Sequence, residues 1–140
     1  MPYPDASAGV SAVVFPDPVV KVRAWVRRFA LFDRVYPEIP AKHEEKLPFL
    51  LVRESGGPGI HDRIYTRVRL QFECWAEDSS ESSEQARTLA ALVLAWDAYD
   101  DVWNPTLIQD PTYMPDPDTG RPVHRLAAEI SFVGEDITIL

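Results

Sequence analysis

In IYTRVRLQFECW, residues 64–75, two kinds of side chain alternate without a break. Ile64, Thr66, Val68, Leu70, Phe72 and Cys74 fall on one side of an extended chain; Tyr65, Arg67, Arg69, Gln71 and Glu73 fall on the other. A period of two with one apolar side describes a strand whose one face meets a core and whose other face meets water. The apolar face needs a second layer to cover it, so the chain must supply helices or another sheet.

Helices are the expected cover. Asp17 can cap a helix N-terminus and Pro18 suits its first position. Val19, Val22, Val26 and Phe29 follow at helical spacing, with Trp25 flanking the stripe. Pro37 and Pro40 in VYPEIP forbid continuation. A second helix is expected in AEDSSESSEQARTLAALVLAW, capped by a serine, with Glu84 in or near its first turn and Ala86, Leu89, Ala90, Val93 and Trp96 as its apolar stripe. Asn104-Pro105 reads as a stop. Three further runs read as strands: PFLLVRE (48–54), TLIQ (106–109) and VHRLAAEISFV (123–133), and SGGPG after the first of them reads as a flexible hairpin tip. The expectation is an α+β fold of order α-β-β-α-β-β, a four-stranded, mainly antiparallel sheet with two helices on one face. Residues 1–16, with Pro2, Pro4, Gly9 and Pro16, read as an extended arm ahead of a single domain over 17–140.

Charge narrows the function classes. The 22 acids outnumber the 14 bases, for a net charge of −8. That disfavours sequence-independent nucleic-acid binding and docking on anionic lipid, both of which need a cationic face. The apolar run LAALVLAW is too short to span a bilayer, and MPYPDASAGV has neither a basic stretch nor a long apolar core, so no membrane segment or secretory signal is expected. The lone Cys74 shares a face with Phe72 and is expected to be a buried apolar residue, with no internal disulfide or cysteine-based zinc site.

The candidate chemical sites each have a simpler explanation. Asp116-x-Asp118-x-Gly120 resembles the start of a calcium loop, but its glycine comes one residue early and the twelfth position is Ala127 where an EF-hand needs glutamate. A tight connection between strands fits better. In DAYDD, Asp97 and Asp101 would repel each other across one helical turn, at a helix end whose dipole disfavours anions. The helix is therefore expected to end near Trp96 and leave an acidic loop. His43, His61 and His124 have no metal-ligand spacing, SGGPG lacks the Lys-Ser/Thr of a phosphate loop, and no serine sits in a G-x-S-x-G elbow. No enzyme activity, cofactor or metal is expected. The rival reading, a small metal-dependent enzyme using Asp97, Asp101, Asp116 or His124, requires those groups to converge in one pocket. A third reading is a monomeric adaptor that binds through the polar face of the sheet.

Charge is also unevenly spread. Lys21, Arg23, Arg27 and Arg28 make the first helix basic, whereas from Glu77 to Asp118 the acids are interrupted by one base, Arg87. Lys21, Arg23, Arg27 and Arg28 of one copy could meet Glu77, Asp78 and Glu81 of a neighbour, a head-to-tail contact that closes into a ring.

The order of features resembles the tail terminator (tail completion) proteins of long-tailed bacteriophages, most of all the small versions from phages of actinobacterial hosts. The resemblance covers residues 16–134: FPDPVVKVRAWVR opening a helix, PFLLVRESGG, DRIYTRVRLQFECWAED, SEQARTLAALVLAW and PTYMPDPDTGRPVHRLAAEISFV. Its most telling pieces are Leu50-x-x-Arg53-x-x-Gly56-Gly57, Cys74-Trp75-Ala76 and Pro115-Asp116-x-x-x-Gly120-x-Pro122. The resemblance implies a virion subunit that assembles as a hexameric ring at the head-proximal end of the tail, stops tube polymerisation and joins the head connector. Its partners would be copies of itself, the tail tube protein and a connector or neck protein, with DNA passing through the lumen without specific binding. Asp97, Asp100 and Asp101, or else the acids near residues 77–84, are candidates for the lumen lining, where acids repel phosphate. Head-completion and neck proteins of similar size are the alternative within the same class.

Overall fold

The computed structural model describes residues 3–140; Met1 and Pro2 of the expected arm lie outside them. The elements are β1 (Val10–Val14), α1 (Pro18–Arg27), β2 (Val35–Tyr36), β3 (Phe49–Glu54), β4 (Gly59–His61), β5 (Tyr65–Trp75), α2 (Ser79–Ala95), β6 (Val102–Tyr113), β7 (Val123–Val133) and β8 (Glu135–Ile139). The fold is α+β, and the four-stranded sheet of order α-β-β-α-β-β does not form. Instead there is a six-stranded mixed sheet, in which the order β2-β3-β5-β7-β6 is joined by β4 pairing with β5, and a separate two-stranded sheet of β1 and β8.

The extra strands have physical reasons for escaping a periodicity reading. β2 and β4 are two and three residues long, too short to display a repeat. β1 and β8 pair the two ends of the described chain, Val10 opposite Ile139 and Val14 opposite Glu135, and neither has a buried residue. Asn104-Pro105 does not stop the chain. It lies inside β6, an edge strand with three irregularities in its pairing to β7. Proline is tolerated there because an edge strand has an unpaired side, and Asn104 takes a positive φ of 48° within the first irregularity.

β5 is the spine. It pairs antiparallel with β7 along its whole length, Tyr65 opposite Val133 to Trp75 opposite Val123. On its other side it pairs antiparallel with β3 and then with β4. SGGPG is thus an interruption between two strands that share one edge of β5; the turn itself falls at Asp62 and Arg63, both with positive φ. The connection β5-α2-β6 crosses over β7, which later fills the gap between its neighbours.

Both helices cover one face. Val68, Leu70, Phe72 and Cys74 of β5, Leu50 and Val52 of β3, and Leu126, Ala128, Ile130 and Phe132 of β7 pack with Val22, Trp25 and Val26 of α1 and Leu89, Ala90, Val93 and Trp96 at α2. Asp17 caps α1 by accepting the Val19 N–H, with Pro18 first in the helix. The helix ends at Arg27, so Phe29 falls outside its stripe and is half exposed, its ring edge-on to Trp25 at 4.8 Å. Trp25 locks the helices together: its Nε1–H donates to the Leu92 carbonyl at 3.0 Å, and its ring stacks on Trp96 at 5.8 Å. The cap of α2 is Asp78 rather than a serine, accepting the Glu81 N–H at 2.8 Å. Ile64, assigned to the core face by alternation, precedes β5 and is exposed.

The opposite face is only partly covered. At one end Phe49, Leu51, Trp75 and Val123 form a small second cluster with Tyr36 and Leu47 against it, and the His43 ring stands edge-on to Trp75. The rest of that face is open to solvent. At the far end Gly134 turns the chain from β7 into β8; a Cβ there would strike the side chains of Val13 and Phe15.

Candidate functional site

The two sets of charges expected to meet between copies are only partly free. Arg28 pairs with Asp100 in its own chain at 3.0 Å, and its guanidinium lies 5.3 Å from the Trp25 ring centre. Asp100 also accepts from Trp96 Nε1 at 2.9 Å, so this lumen candidate ties α1 to the end of α2. Arg23 donates to the Val35 carbonyl and Arg27 to the Asp33 carbonyl. Lys21 is exposed and borders a depression with Asp101, Glu135 and Asp136. Glu77 and Asp78 are exposed at the start of α2, and Glu81 is half-buried with one carboxylate oxygen covered and unpartnered. α2 ends at Ala95 and a short 3-10 turn, Trp96–Ala98, follows. Asp97 and Asp101 are exposed and do not stack along one α-helix, and Asp97, Asp101, Asp116 and His124 are spread over two connections and a strand. Among the described residues no group of three or more His, Cys, Asp or Glu is placed to hold a metal ion.

Asp116 organises a turn. Its carboxylate accepts from the Thr119 hydroxyl at 2.6 Å and the Thr119 N–H at 2.9 Å, which holds its pKa below the ordinary range; Gly120, at φ 71°, closes the loop by donating to the Asp116 carbonyl. Cys74 is wholly buried, and burial pushes its thiol pKa well up, away from nucleophilic use.

His124 is bound to the helical layer through Ser82, whose Oγ lies 2.6 Å from its Nδ1 and donates to the Ser79 carbonyl. Burial, with a contribution from nearby Arg87, lowers the His124 pKa below its ordinary 6.5. The fold therefore favours the neutral ring. Its stabilising contribution is complete above the unfolded value near 6.5 and is lost as pH falls through that value towards the lower folded one. Urea midpoints should drop between about pH 7.5 and about pH 5.5 more in the native chain than in His124→Gln. Equal drops would mean that other groups carry the effect.

The polar side of residues 65–73 forms the floor of the open face, organised by contacts that alternation along one strand does not encode. Arg67 is the hub. Its Nε donates to Glu129 Oε1 at 3.1 Å, Nη1 to the Asn104 carbonyl and Ser131 Oγ at 3.1 and 3.0 Å, and Nη2 to Thr106 Oγ1 at 3.3 Å. One side chain thus joins β5, β7 and β6. Arg69 holds the other Glu129 oxygen at 2.8 Å, and these two arginines keep the Glu129 pKa below the ordinary range. Tyr65 and Trp103 meet edge-on at 5.4 Å beside the hub. The signal was the arginine pair at 67 and 69; what they face depends on β6 and β7, which alternation in β5 cannot specify. Arg67→Ala should cost about 1–2 kcal/mol, reduced from a buried charged bond by partial exposure. The check is chemical denaturation beside Arg53→Ala, which should change stability by less than about 0.5 kcal/mol.

Among the described residues no helix is long and apolar enough to cross a membrane. No protein-family model matches the chain, and no curated protein matches it either.

Proposed function

We propose that this chain is a structural virion protein, a tail terminator whose copies close into a ring at the head-proximal end of the tail tube, halt tube growth and present a surface to the head connector. The observation that carries the assembling part of this reading is the β1–β8 ribbon. It belongs to no larger sheet among the described residues, so the outer edge of each strand is unpaired. An isolated two-stranded ribbon is marginal in water, and an unprotected edge is a template for a further strand. The long edge strand β6 is by contrast blunted by Pro105, Pro111 and three pairing irregularities. Val10, Val14 and Ile139 are exposed on the ribbon, which suits a segment that gains cover from a neighbour. The ordered motifs over residues 16–134 resemble those of tail terminators, with head-completion and neck proteins of similar size as the alternative within the same class. Acids at Asp97 and Asp101 would repel phosphate if they faced a passage for DNA.

The test is a phage lacking the gene, viewed by electron microscopy, with the purified chain weighed in solution. Unjoined heads and overlong tails, with a purified ring of about six copies, are the expected results. Normal-length tails attached to heads, or a chain that stays monomeric at every concentration and with tube protein added, would overturn the reading.

A further inference from the structure

We infer that the open sheet face is the docking surface for the acidic first turns of α2 in a second copy of the chain, a contact that rests on the ring reading above and names its surfaces. The strand positions of this face carry Arg53, Arg67, Arg69 and Arg125 against Glu73 and Glu129, a cationic area on a chain of net charge −8. Arg67 is consumed by its hub. The other three are not. Arg53 is exposed opposite Gln71. Arg69 has 45% of its side chain exposed beyond its bond to Glu129. Arg125 reaches Glu73 only at 3.8 Å, and its Nε has no partner.

Arg125 borders a depression in this face. Gln71 lies between Arg53 on β3 and Ala127 on β7, and it borders the same depression, whose lining includes Glu73, Gln109, Met114 and Arg125. Met114 and, further along, Trp103 give the patch exposed apolar surface, the combination of arginine, aromatic and methionine that protein interfaces favour.

The complementary surface lies on the helical layer of the same molecule. Glu77, Glu81 and Glu84 occupy neighbouring positions on and just before the first turns of α2. The covered, unpartnered side-chain atoms among the described residues divide the same way: acceptors at Glu81 and Gln85, a donor at Arg125. Each belongs to a side chain that is not fully buried, so a rotamer change brings it outward. Because α2 and the open face lie on opposite sides of the sheet, one molecule cannot join them. Two copies can, head to tail, and a head-to-tail contact repeats until it closes. This contact uses the open face where the sequence pointed to the basic side of α1.

The experiment uses two charge-reversed forms of the full chain. Arg69→Glu with Arg125→Glu makes the face acidic; Glu77→Lys with Glu84→Lys makes the helix start basic, at two exposed positions that leave the Asp78 cap in place. Each form alone brings like charges together and should weaken self-association roughly 100-fold, with a far-ultraviolet spectrum like the native chain. An equimolar mixture pairs each reversed surface with its new complement and should recover rings of alternating composition. Native rings with either variant assembling alone as well as the native chain would overturn this contact and leave the ring reading intact. So would two weakened variants that fail to rescue each other. A native chain that never assembles would overturn both.

Discussion

Phe72→Ala should lower the unfolding free energy by roughly 3–5 kcal/mol, enough to remove a large part of the stability of a small domain. Phe72 sits mid-strand in β5, opposite Val52 of β3 and Leu126 of β7, with no solvent exposure. Helices lie over it and strands flank it on both sides, so little can collapse into the space its ring leaves. The cost combines lost burial with the cavity that remains. The neighbouring Gln71→Ala supplies the control. It lies one residue away on the open face and should change stability by no more than about 0.5 kcal/mol. Urea denaturation with unchanged slope measures both. A Phe72→Ala loss under about 1 kcal/mol, or a Gln71→Ala loss of similar size, would contradict the packing described for β5.

That contrast shows where sequence is informative. Alternation in β5 and β7, the Asp17-Pro18 start of α1 and the apolar stripe of α2 all reflect one physical cause, burial of one side of a regular element, and each was readable from its own residues. The same logic failed at the margins of elements. Phe29 and Ile64 continue a periodic pattern past the point where the backbone keeps it, so both end up exposed. Asp78 outcompetes the serines that follow it as the cap of α2, a choice between good capping residues that pattern leaves open.

Non-local pairing was the larger omission. Nothing within GVSAVVF or EDITIL specifies that these segments, from opposite ends of the chain, are partners. Their burial is too slight to impose a strong period. The open face was visible as a polar side but not as a cluster of arginines, because Arg53, Arg69 and Arg125 lie on three different strands brought together by register. Arg28 and Asp100 show the converse: residues assigned to two separate surfaces of an assembly turn out to be each other's partners. Charge counts along a sequence locate acids and bases but not the neighbours that neutralise them.

Gly57→Ala should cost roughly 2–4 kcal/mol, against about 1–2 for Gly56→Ala next to it. Both glycines have positive φ, 94° at Gly56 and 113° at Gly57, so both substitutions strain the backbone. Only Gly57 also lacks room. A Cβ there would lie 2.8 Å from the Arg67 carbonyl oxygen and from the Arg69 nitrogen, both backbone atoms of β5, whereas one at Gly56 meets nothing within 4 Å. The reason is the interruption between β3 and β4. From Glu54 to Gly59 the chain takes five steps while its partner takes three, from Leu70 to Arg67. The surplus must fold back against β5, and the Ser55 N–H and Gly56 carbonyl still bond to Arg69. Adding a methyl at Gly57 forces a choice between parting the strands and losing the β4 pairing. Because β5 is fixed by β7 on its other side, β4 should give way first. Amide exchange should therefore accelerate in residues 59–67 more than at the Phe72 end of β5, with the loss of global stability following. Equal costs at the two glycines, or acceleration spread evenly along β5, would show that the close approach at Gly57 does not hold β4 in place.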